Sequence, residues 1–208
     1  NLELILMDIK THKDDLPSDL NLGNEIAVDC EAMGLVPNRD PLTLIQISTG
    51  KDDCHIIRLD RKKYNATNLI KILENEKINK IFHFARFDVA AIKFFLKAEV
   101  KNIYCTKIAS KIARTYTDKH SLKDLVKEII GIDMSKQMQS SDWGAEKLSE
   151  KQLKYAASDC IYLHQLKREL DKILVRENRM ELFNKCMKFL NTRVDLDLAD
   201  YKIDIFSH

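Results

Sequence analysis

The sequence predicts an α/β protein in which a central mixed five-stranded sheet is flanked by helices and followed by a helical C-terminal part. Two observations predict this class. Short β-branched segments bounded by turn compositions occupy the first part of the chain, and helical apolar spacing prevails after Lys107. Strands and helices alternate between these two regions, which is typical of β-α-β units.

The first three strands form a predicted meander. They are joined by PNRDP and GKDD, whose Pro, Asn, Asp and Gly residues favour turns. Two further strands alternate with two helices, because apolar residues at helical spacing separate the β-rich runs. The predicted strands are residues 26–31, 42–49, 54–60, 80–85 and 102–107, and the helices between them are 68–76 and 87–97.

The second half of the chain carries clear signals for helix ends. Ser121 is a predicted N-cap and Gly131 is placed to end the same helix. Ser149 and Gln152 match a capping box, so a long helix is predicted from about residue 150 to about Leu170. Further helix follows, and we interpret the final segment, NTRVDLDLADYKIDIFSH, as an arm.

Length and composition favour one folded domain. The chain has 208 residues, 45% of them apolar and 32% charged, with only five Gly and three Pro. We expect one domain over residues 1–208, with a core at about 24–170 and C-terminal helices and tail at about 171–208. The five cysteines are scattered without a C-x-x-C pair, which predicts reduced, mostly buried thiols rather than disulfides or a zinc knuckle.

Charge and hydropathy exclude several classes of protein. The net charge is +2, with 34 basic and 32 acidic residues, so there is no strong electrostatic footprint for a long nucleic acid. The opening NLELILMDIK has no basic leader, and no run approaches the roughly twenty apolar residues that cross a bilayer. We expect a cytoplasmic protein without a membrane partner. Motifs for a P-loop, a dinucleotide fold, H-E-x-x-H or G-x-S-x-G are absent from the sequence.

Two acids stand close together in the first predicted strand, IAVDCEAMGL. Side chains alternate along a strand, so Asp29 and Glu31 point to the same face. Carboxylates held this close repel one another unless a cation lies between them or one of them stays protonated, and oxygen clusters suit Mg²⁺ or Mn²⁺. Acid-x-acid spacing alone is weak evidence, because Glu74 and Glu76 share it in a segment where solvated surface explains them.

Two more acids strengthen the interpretation. Asp88 lies at a strand-to-helix junction, where its alternative role is a favourable partner of the helix dipole. Asp159 follows Tyr155 by one helical turn, so the phenol and the carboxylate project from one face. The alternative is a packed tyrosine and a solvated acid, but the small residues at 156–158 let this turn approach a strand closely.

The order of these residues resembles the DEDDy group of 3′→5′ exonucleases: D-x-E at a strand end, F-D opening a helix and a late Y-x-x-x-D. The segment KQMQSSDWGAEKLSEKQLKYAASDCIYL is similar to the one that closes the ribonuclease D catalytic domain. The segments IFHFARFDVAAI and CTKIASKIARTYTDKHSLKDL resemble the nanoRNase C group of short ribonuclease D relatives. The resemblance implies a ribonuclease H-like, DnaQ-like exonuclease fold. We expect no helical RNA-binding extension, since few residues follow Leu170.

The resemblance also implies a chemistry. Asp29, Glu31, Asp88 and Asp159 would hold two divalent ions, Mg²⁺ or Mn²⁺, for in-line phosphodiester hydrolysis, and Tyr155 would orient the attacking water. The products would be nucleoside 5′-monophosphates released from the 3′ end. The nanoRNase C resemblance implies very short RNAs, chiefly dinucleotides, as substrates, and a homo-oligomeric ring, an octamer.

Candidates for substrate contact follow the acids. The resemblance assigns a base wedge to the apolar residue after the D-x-E strand; we choose Leu35, whose alternative is a core leucine at a turn. Trp143 is a candidate for stacking on a base, although a lone Trp at a helix start more often anchors packing. The other candidates are Met33 and Gly34 beside the wedge, His83, Arg86, Lys107, Arg114 and Lys136 for phosphate oxygens, and Ser140, Ser141 and Asp142, for which capping is the simple explanation.

Two other functions remain open. One is exonuclease action on longer substrates, either ribonuclease D-like trimming of RNA 3′ ends or degradation of DNA. The other is a non-catalytic nucleic-acid-binding module, which we disfavour because all four acids are present. Apolar residues of the last segment, namely Leu196, Leu198, Ile203 and Phe206, are candidates for subunit contacts or for cover of the chain's own core.

Overall fold

The computed structural model describes residues 7–134, 141–201, 205 and 207. Within these ranges the strands are β1 (Asp8–Lys13), β2 (Glu25–Ala32), β3 (Leu42–Ser48), β4 (Asp53–Arg58), β5 (Asn79–Phe82) and β6 (Ile103–Cys105). The helices are α1 (Thr67–Glu74), α2 (Ala85–Leu96), α3 (Thr106–Ala113), α4 (Leu122–Leu125), α5 (Glu150–Ile161), α6 (Leu163–Arg176) and α7 (Met180–Leu198). A π-helical turn, Val126–Ile130, continues α4.

The strands form one mixed sheet in the order β1-β4-β3-β2-β5-β6. Strands β2, β3 and β4 pair antiparallel as the predicted meander, while β5 and β6 add in parallel beside β2. The mixed α/β fold is confirmed, but the sheet has six strands rather than five. The additional strand β1, DIKTHK, pairs parallel with β4 at the edge, and its mostly exposed polar residues give no apolar alternation from which to predict a strand.

Helices cover both faces of the sheet, which explains why β3 is buried along its whole length. On one face, α1, α2 and α7 pack against a core that includes Val28 and Ile45. On the other face, α5 packs against Leu44 and Ile56 through the small side chains of Ala156 and Ala157. The same face continues onto α6, whose leucines share a core with β2 and β5. Strand β2 therefore lies at the centre of a closed three-layer arrangement.

The helical half agrees with the predicted caps and departs from the predicted lengths. Ser121 caps α4, and Gly131 ends the π-helical turn with a φ of 85°. The single helix predicted from 150 to Leu170 is instead two helices, because the regular helical hydrogen bonding is interrupted at Tyr162, whose N–H donates to the Cys160 oxygen. All five cysteines are unpaired thiols, four of them buried, as predicted.

The final segment differs from the predicted arm at its beginning. Residues 191–198 are the end of α7 rather than an arm, and Val194 is buried in the core. Leu198 packs against the same core, whereas Ile203 and Phe206 lie outside the described residues. Within the ranges given above, none of the helices has the length and apolar character that crossing a bilayer requires.

The N-terminus of α5 generates a first prediction, because this helix carries Tyr155 and Asp159. The Ser149 hydroxyl accepts a hydrogen bond from the Gln152 backbone N–H at 3.3 Å, and the Gln152 side chain accepts one from the Ser149 N–H at 2.9 Å. We expect Ser149→Ala to lower the free energy of unfolding by about 1 kcal/mol and the melting temperature by about 2–4 °C.

Thermal unfolding followed by circular dichroism measures the effect. Ser18→Ala at an exposed turn is the control and should leave the melting temperature unchanged. An equal melting temperature for Ser149→Ala and the parent protein would show that the capping box does not stabilise the fold.

Candidate active site

Three carboxylates converge where β2 meets α5. Asp29 and Glu31 point to the α5 side of the sheet, since Val28 and Cys30 belong to the core on the opposite face. The close approach of α5 brings Asp159 to the same place. One side-chain oxygen from each of Asp29, Glu31 and Asp159 lies within 4.8 Å of the others. The structure therefore brings together the three acids that the sequence pattern identified on β2 and on the late helix.

The fourth acid, Asp88, reaches the site from the other face of the sheet. It lies in the first turn of α2, is buried and accepts a hydrogen bond from the Cys30 thiol. It is not one of the three acids within 4.8 Å, but it is close enough for the charge of Asp29 to raise its pKa. The helix begins after Phe84, whose backbone is left-handed (φ 66°, ψ 43°), so the strand turns sharply into the helix.

The electrostatics of the four acids explain what the site requires. Burial raises the pKa of Asp29 to about 7, and burial together with the other three acids raises that of Glu31 to about 10. Burial and then the charge of Asp29 raise the pKa values of Asp88 and Asp159 well above the usual range. Several ionised carboxylates in one half-buried cluster need positive charge among them, so the oxygens fit a hard divalent cation such as Mg²⁺ or Mn²⁺.

Tyr155 faces this cluster as a neutral phenol. Its hydroxyl donates a hydrogen bond to the Asp159 carboxylate, and burial followed by the charge of Asp159 raises its pKa. A raised pKa keeps the proton on the phenol at neutral pH. Its ring lies 6.1 Å from that of Trp143, centroid to centroid. Trp143 is only 6% exposed, so it anchors packing behind Tyr155 and offers no free surface for a base; the stacking role considered for it is not supported.

The loop after β2 presents an apolar side chain to solvent. Leu35 is 88% exposed, so the alternative of a core leucine is wrong, and Met33 beside it is half exposed. Gly34 leaves room for the Asp40 carboxylate, which a Cβ at this position would displace. That carboxylate also accepts a hydrogen bond from the Val36 N–H at 2.9 Å. The loop is thus tied to Asp40 and holds Leu35 outward.

The basic candidates for phosphate contact are already engaged. Arg86 donates two hydrogen bonds of 2.6 Å to the Asp197 carboxylate at the end of α7. Arg114 is buried and forms an ion pair with Glu128. The Lys107 ammonium lies 4.3 Å from the centre of the Phe84 ring. The structure therefore places none of these three cations at the carboxylate cluster.

The remaining candidates either make local hydrogen bonds or lie outside the residues that the structure describes. His83 Nδ1 is 2.9 Å from the Thr106 hydroxyl, and burial, then Lys107, lowers the pKa of His83 to about 3, so the ring is neutral. Asp142 accepts a hydrogen bond from the Gly144 N–H within a turn, whereas the helix that follows is capped by Ser149. Ser141 is half-buried beside it; Lys136 and Ser140 lie outside the described residues.

Sequence reasoning missed two features of the site. The first is a groove of about 380 Å³, lined by Leu35, Val36, Phe84, Phe87 and Tyr201 among others, in which Phe84 is 45% exposed. A bulky left-handed residue between a strand and a site acid is an uncommon backbone choice, yet its dihedral angles are not visible in sequence. The second is Gln46 on β3, a long polar side chain in the mostly apolar strand LTLIQIS.

Comparison with known proteins agrees with this geometry. The sequence profile described as 3′-5′ exonuclease matches residues 5–175 of the chain. The chain belongs to the 3′-5′ exonuclease family. The resemblance derived from the D-x-E, F-D and Y-x-x-x-D residues is therefore confirmed, as is the ribonuclease H-like fold.

Solved structures extend the similarity over nearly the whole chain. Brucella melitensis NrnC is 46% identical, with a TM-score of 0.93 over 97% of this chain and 100% of that one. The same protein has also been solved with bound Mg²⁺ (44% identity, TM-score 0.92, covering 97% of this chain and 100% of that one) and bound to pGG (45%, 0.93, covering 97% and 99%).

Curated relatives are larger proteins. The exosome complex exonuclease RRP6 of Saccharomyces cerevisiae is 28% identical over 85% of this chain, which spans 24% of its length. Ribonuclease D of Gluconacetobacter diazotrophicus is 28% identical over 67% of this chain, which spans 35% of its length. The chain thus spans only about a quarter to a third of these two relatives.

The raised pKa values generate a prediction about stability and pH. Because the folded protein holds protons on these acids more tightly than the unfolded chain, the contribution to stability is full below about pH 4 and is lost as pH rises through the folded pKa values. In the presence of a chelator, we expect the melting temperature to fall from about pH 5 to about pH 8. Saturating Mn²⁺ or Mg²⁺ should oppose this fall, because the cation compensates the ionised carboxylates.

The double variant Asp29→Asn/Glu31→Gln is the control. With two carboxyls replaced by amides, it should show a flatter pH profile in chelator and a smaller shift on addition of cation. The same pH slope and the same cation shift in both proteins would place the effect outside this cluster. Differential scanning fluorimetry at each pH provides the measurement.

Proposed function

We propose that the chain is a metal-dependent 3′→5′ exoribonuclease that hydrolyses very short RNAs, chiefly dinucleotides, to nucleoside 5′-monophosphates. The observation that carries the proposal is the convergence of the oxygens of Asp29, Glu31 and Asp159 within 4.8 Å beside the phenol of Tyr155. The similarity to NrnC, solved with bound Mg²⁺ and with pGG, supports the cofactor and the substrate class.

The four acids and Tyr155 have different roles in the proposed reaction. Asp29, Glu31, Asp88 and Asp159 would hold two divalent ions, Mg²⁺ or Mn²⁺. Bound there, such ions lower the pKa of water and stabilise negative charge on the phosphodiester oxygens. Tyr155 acts as a hydrogen-bonding group that orients the attacking water, not as a free base, because its raised pKa keeps it neutral.

Charge supports a substrate with few phosphates. The net charge is +2, and Arg86 and Arg114 are each paired with a carboxylate of the chain itself. Binding along a long nucleic acid relies on many unpaired cations, whereas a dinucleotide offers few phosphates to neutralise. Exposed apolar side chains, chiefly Leu35 and Phe84, would instead contact the bases. Both residues line the same groove.

We also propose that residues 1–208 act as one exonuclease domain and that the chain assembles into a homo-oligomeric ring, an octamer. Helix α7 supports the single domain, because it packs against α2 and is joined to it by the Arg86–Asp197 ion pair. The ring rests on the likeness to the nanoRNase C group. Light scattering coupled to size-exclusion chromatography measures the mass, and a monomeric mass would overturn the ring.

A substrate series tests the proposed activity. Purified protein with Mn²⁺ or Mg²⁺ is given a 5′-labelled dinucleotide, a heptanucleotide RNA, an RNA with a folded stem and 3′ overhang, and a single-stranded DNA. We expect rapid loss of the dinucleotide while the others stay nearly intact. Tyr155→Phe should lower kcat by about 10²–10⁴-fold, and Asp29→Ala should abolish cleavage, whereas Tyr116→Phe at an exposed position should have no effect.

Each alternative has its own signature in that series. Equal or faster trimming of the longer RNAs would favour ribonuclease D-like processing, and cleavage of the DNA would favour a DNA exonuclease. Absence of cleavage with either metal, combined with retained RNA binding, would favour the non-catalytic module and overturn the enzyme proposal.

The wedge role generates a separate prediction. Leu35→Ala removes the exposed side chain that would be covered by a base, which is worth about 1.5 kcal/mol and so corresponds to roughly a tenfold higher KM for the dinucleotide. Val175→Ala, at an exposed apolar position on α6, is the matched control and should leave KM unchanged. An unaltered KM for Leu35→Ala would exclude the wedge.

A further inference from the structure

Gln46 is an unusual residue for its position. It lies in β3, whose residues are buried throughout, and its own side chain is fully buried. Among the residues that the structure describes, neither Nε2 nor Oε1 of Gln46 has a hydrogen-bond partner. A buried amide without a partner destabilises the fold, and an apolar residue of the same size would avoid that cost. The Gln46 amide is therefore explained if it gains a hydrogen-bond partner in another state of the site.

The register of the sheet indicates which group that partner is. Gln46 pairs directly with Asp29 across β2 and β3, and with Ile56 across β3 and β4. Directly opposed residues of an antiparallel pair project to the same face, with Cβ atoms about 4.5–5.5 Å apart. The Gln46 side chain thus lies between an apolar side chain and the Asp29 carboxylate.

The helix above Gln46 offers it little else. Ala156 and Ala157 of α5 pack onto this face with Leu44 and Ile56. The Cys160 thiol, one turn further along α5, contacts the Gln46 backbone oxygen at 3.7 Å rather than the side-chain amide. The amide therefore sits in an apolar layer whose polar edge is formed by Asp29.

We propose that Gln46 is a positioning residue for the metal site: its Nε2–H donates a hydrogen bond to the Asp29 carboxylate once a divalent cation holds that group. The bond fixes the orientation of the carboxylate and so raises the affinity for the cation, as residues that orient metal ligands do. This inference rests on the proposed function, because it assumes that the acid cluster binds a divalent ion.

The test separates affinity for the cation from stability. Gln46→Leu and Gln46→Met fill the same layer without an amide. We expect both variants to bind Mn²⁺ about 10–100-fold more weakly, measured by isothermal titration calorimetry, and to show a smaller Mn²⁺-induced rise in melting temperature. In chelator, their melting temperatures should equal or exceed that of the parent protein, since an unpartnered amide has been removed.

Ile56→Val is the matched control, because it alters packing on the same face without changing a polar group. It should lower the melting temperature slightly and leave Mn²⁺ affinity unchanged. Parent-like Mn²⁺ affinity in both Gln46 variants would overturn the inference while leaving the proposed function standing, whatever their melting temperatures. Absence of Mn²⁺ binding by the parent protein would overturn the metal site itself, and the inference with it.

Discussion

The mutual repulsion of four clustered acids, of which Asp88 is buried and the other three are half-buried, is the constraint on which the candidate site depends. Burial raises the pKa of each acid, and the charge of a neighbouring acid raises it further in Glu31, Asp88 and Asp159. Such a cluster is held only if the surrounding elements are rigid, because any loosening would let the acids separate into water. The fold supplies this rigidity by placing β2 at the centre of a sheet covered on both faces.

Each acid reaches the cluster by a different structural route. Asp29 and Glu31 project from the α5 side of β2, and Asp159 comes from α5, whose small side chains allow close approach. Asp88 arrives from α2 on the opposite face, just beyond the left-handed turn at Phe84. Because the site is built from both faces of the sheet at a strand end, its geometry depends on α2 and α5 together rather than on one helix alone.

Helix α7 has a part in this arrangement although it lies beyond residues 5–175, which match the family profile. Two ion pairs join it to α2: Arg86 binds Asp197 near the helix start, and Lys93 binds Asp195 two turns later. The same α2 carries Asp88. The C-terminal helix thus fixes the helix that delivers the fourth acid, and it does so with an arginine whose guanidinium would otherwise be available to a phosphate.

The central features were predictable because they depend on local periodicity. Alternation along a strand placed Asp29 and Glu31 on one face, helical spacing placed Tyr155 beside Asp159, and the capping box marked the start of α5.

The features that escaped prediction depend on contacts distant in sequence. Arg86 and its partner Asp197 are 111 positions apart, and nothing in either neighbourhood signals the other. Likewise, the polar edge strand β1 exists because β4 offers it hydrogen bonds, not because its own sequence alternates. Local pattern therefore identified the acids of the candidate site, whereas the state of the cations around it, paired rather than free, is a property of the tertiary fold. That distinction matters for the short-RNA substrate proposed above: Arg86 and Arg114 are paired within the chain, so a long phosphate backbone would lose two partners, and the exposed Leu35 and Phe84 would be left to contact bases.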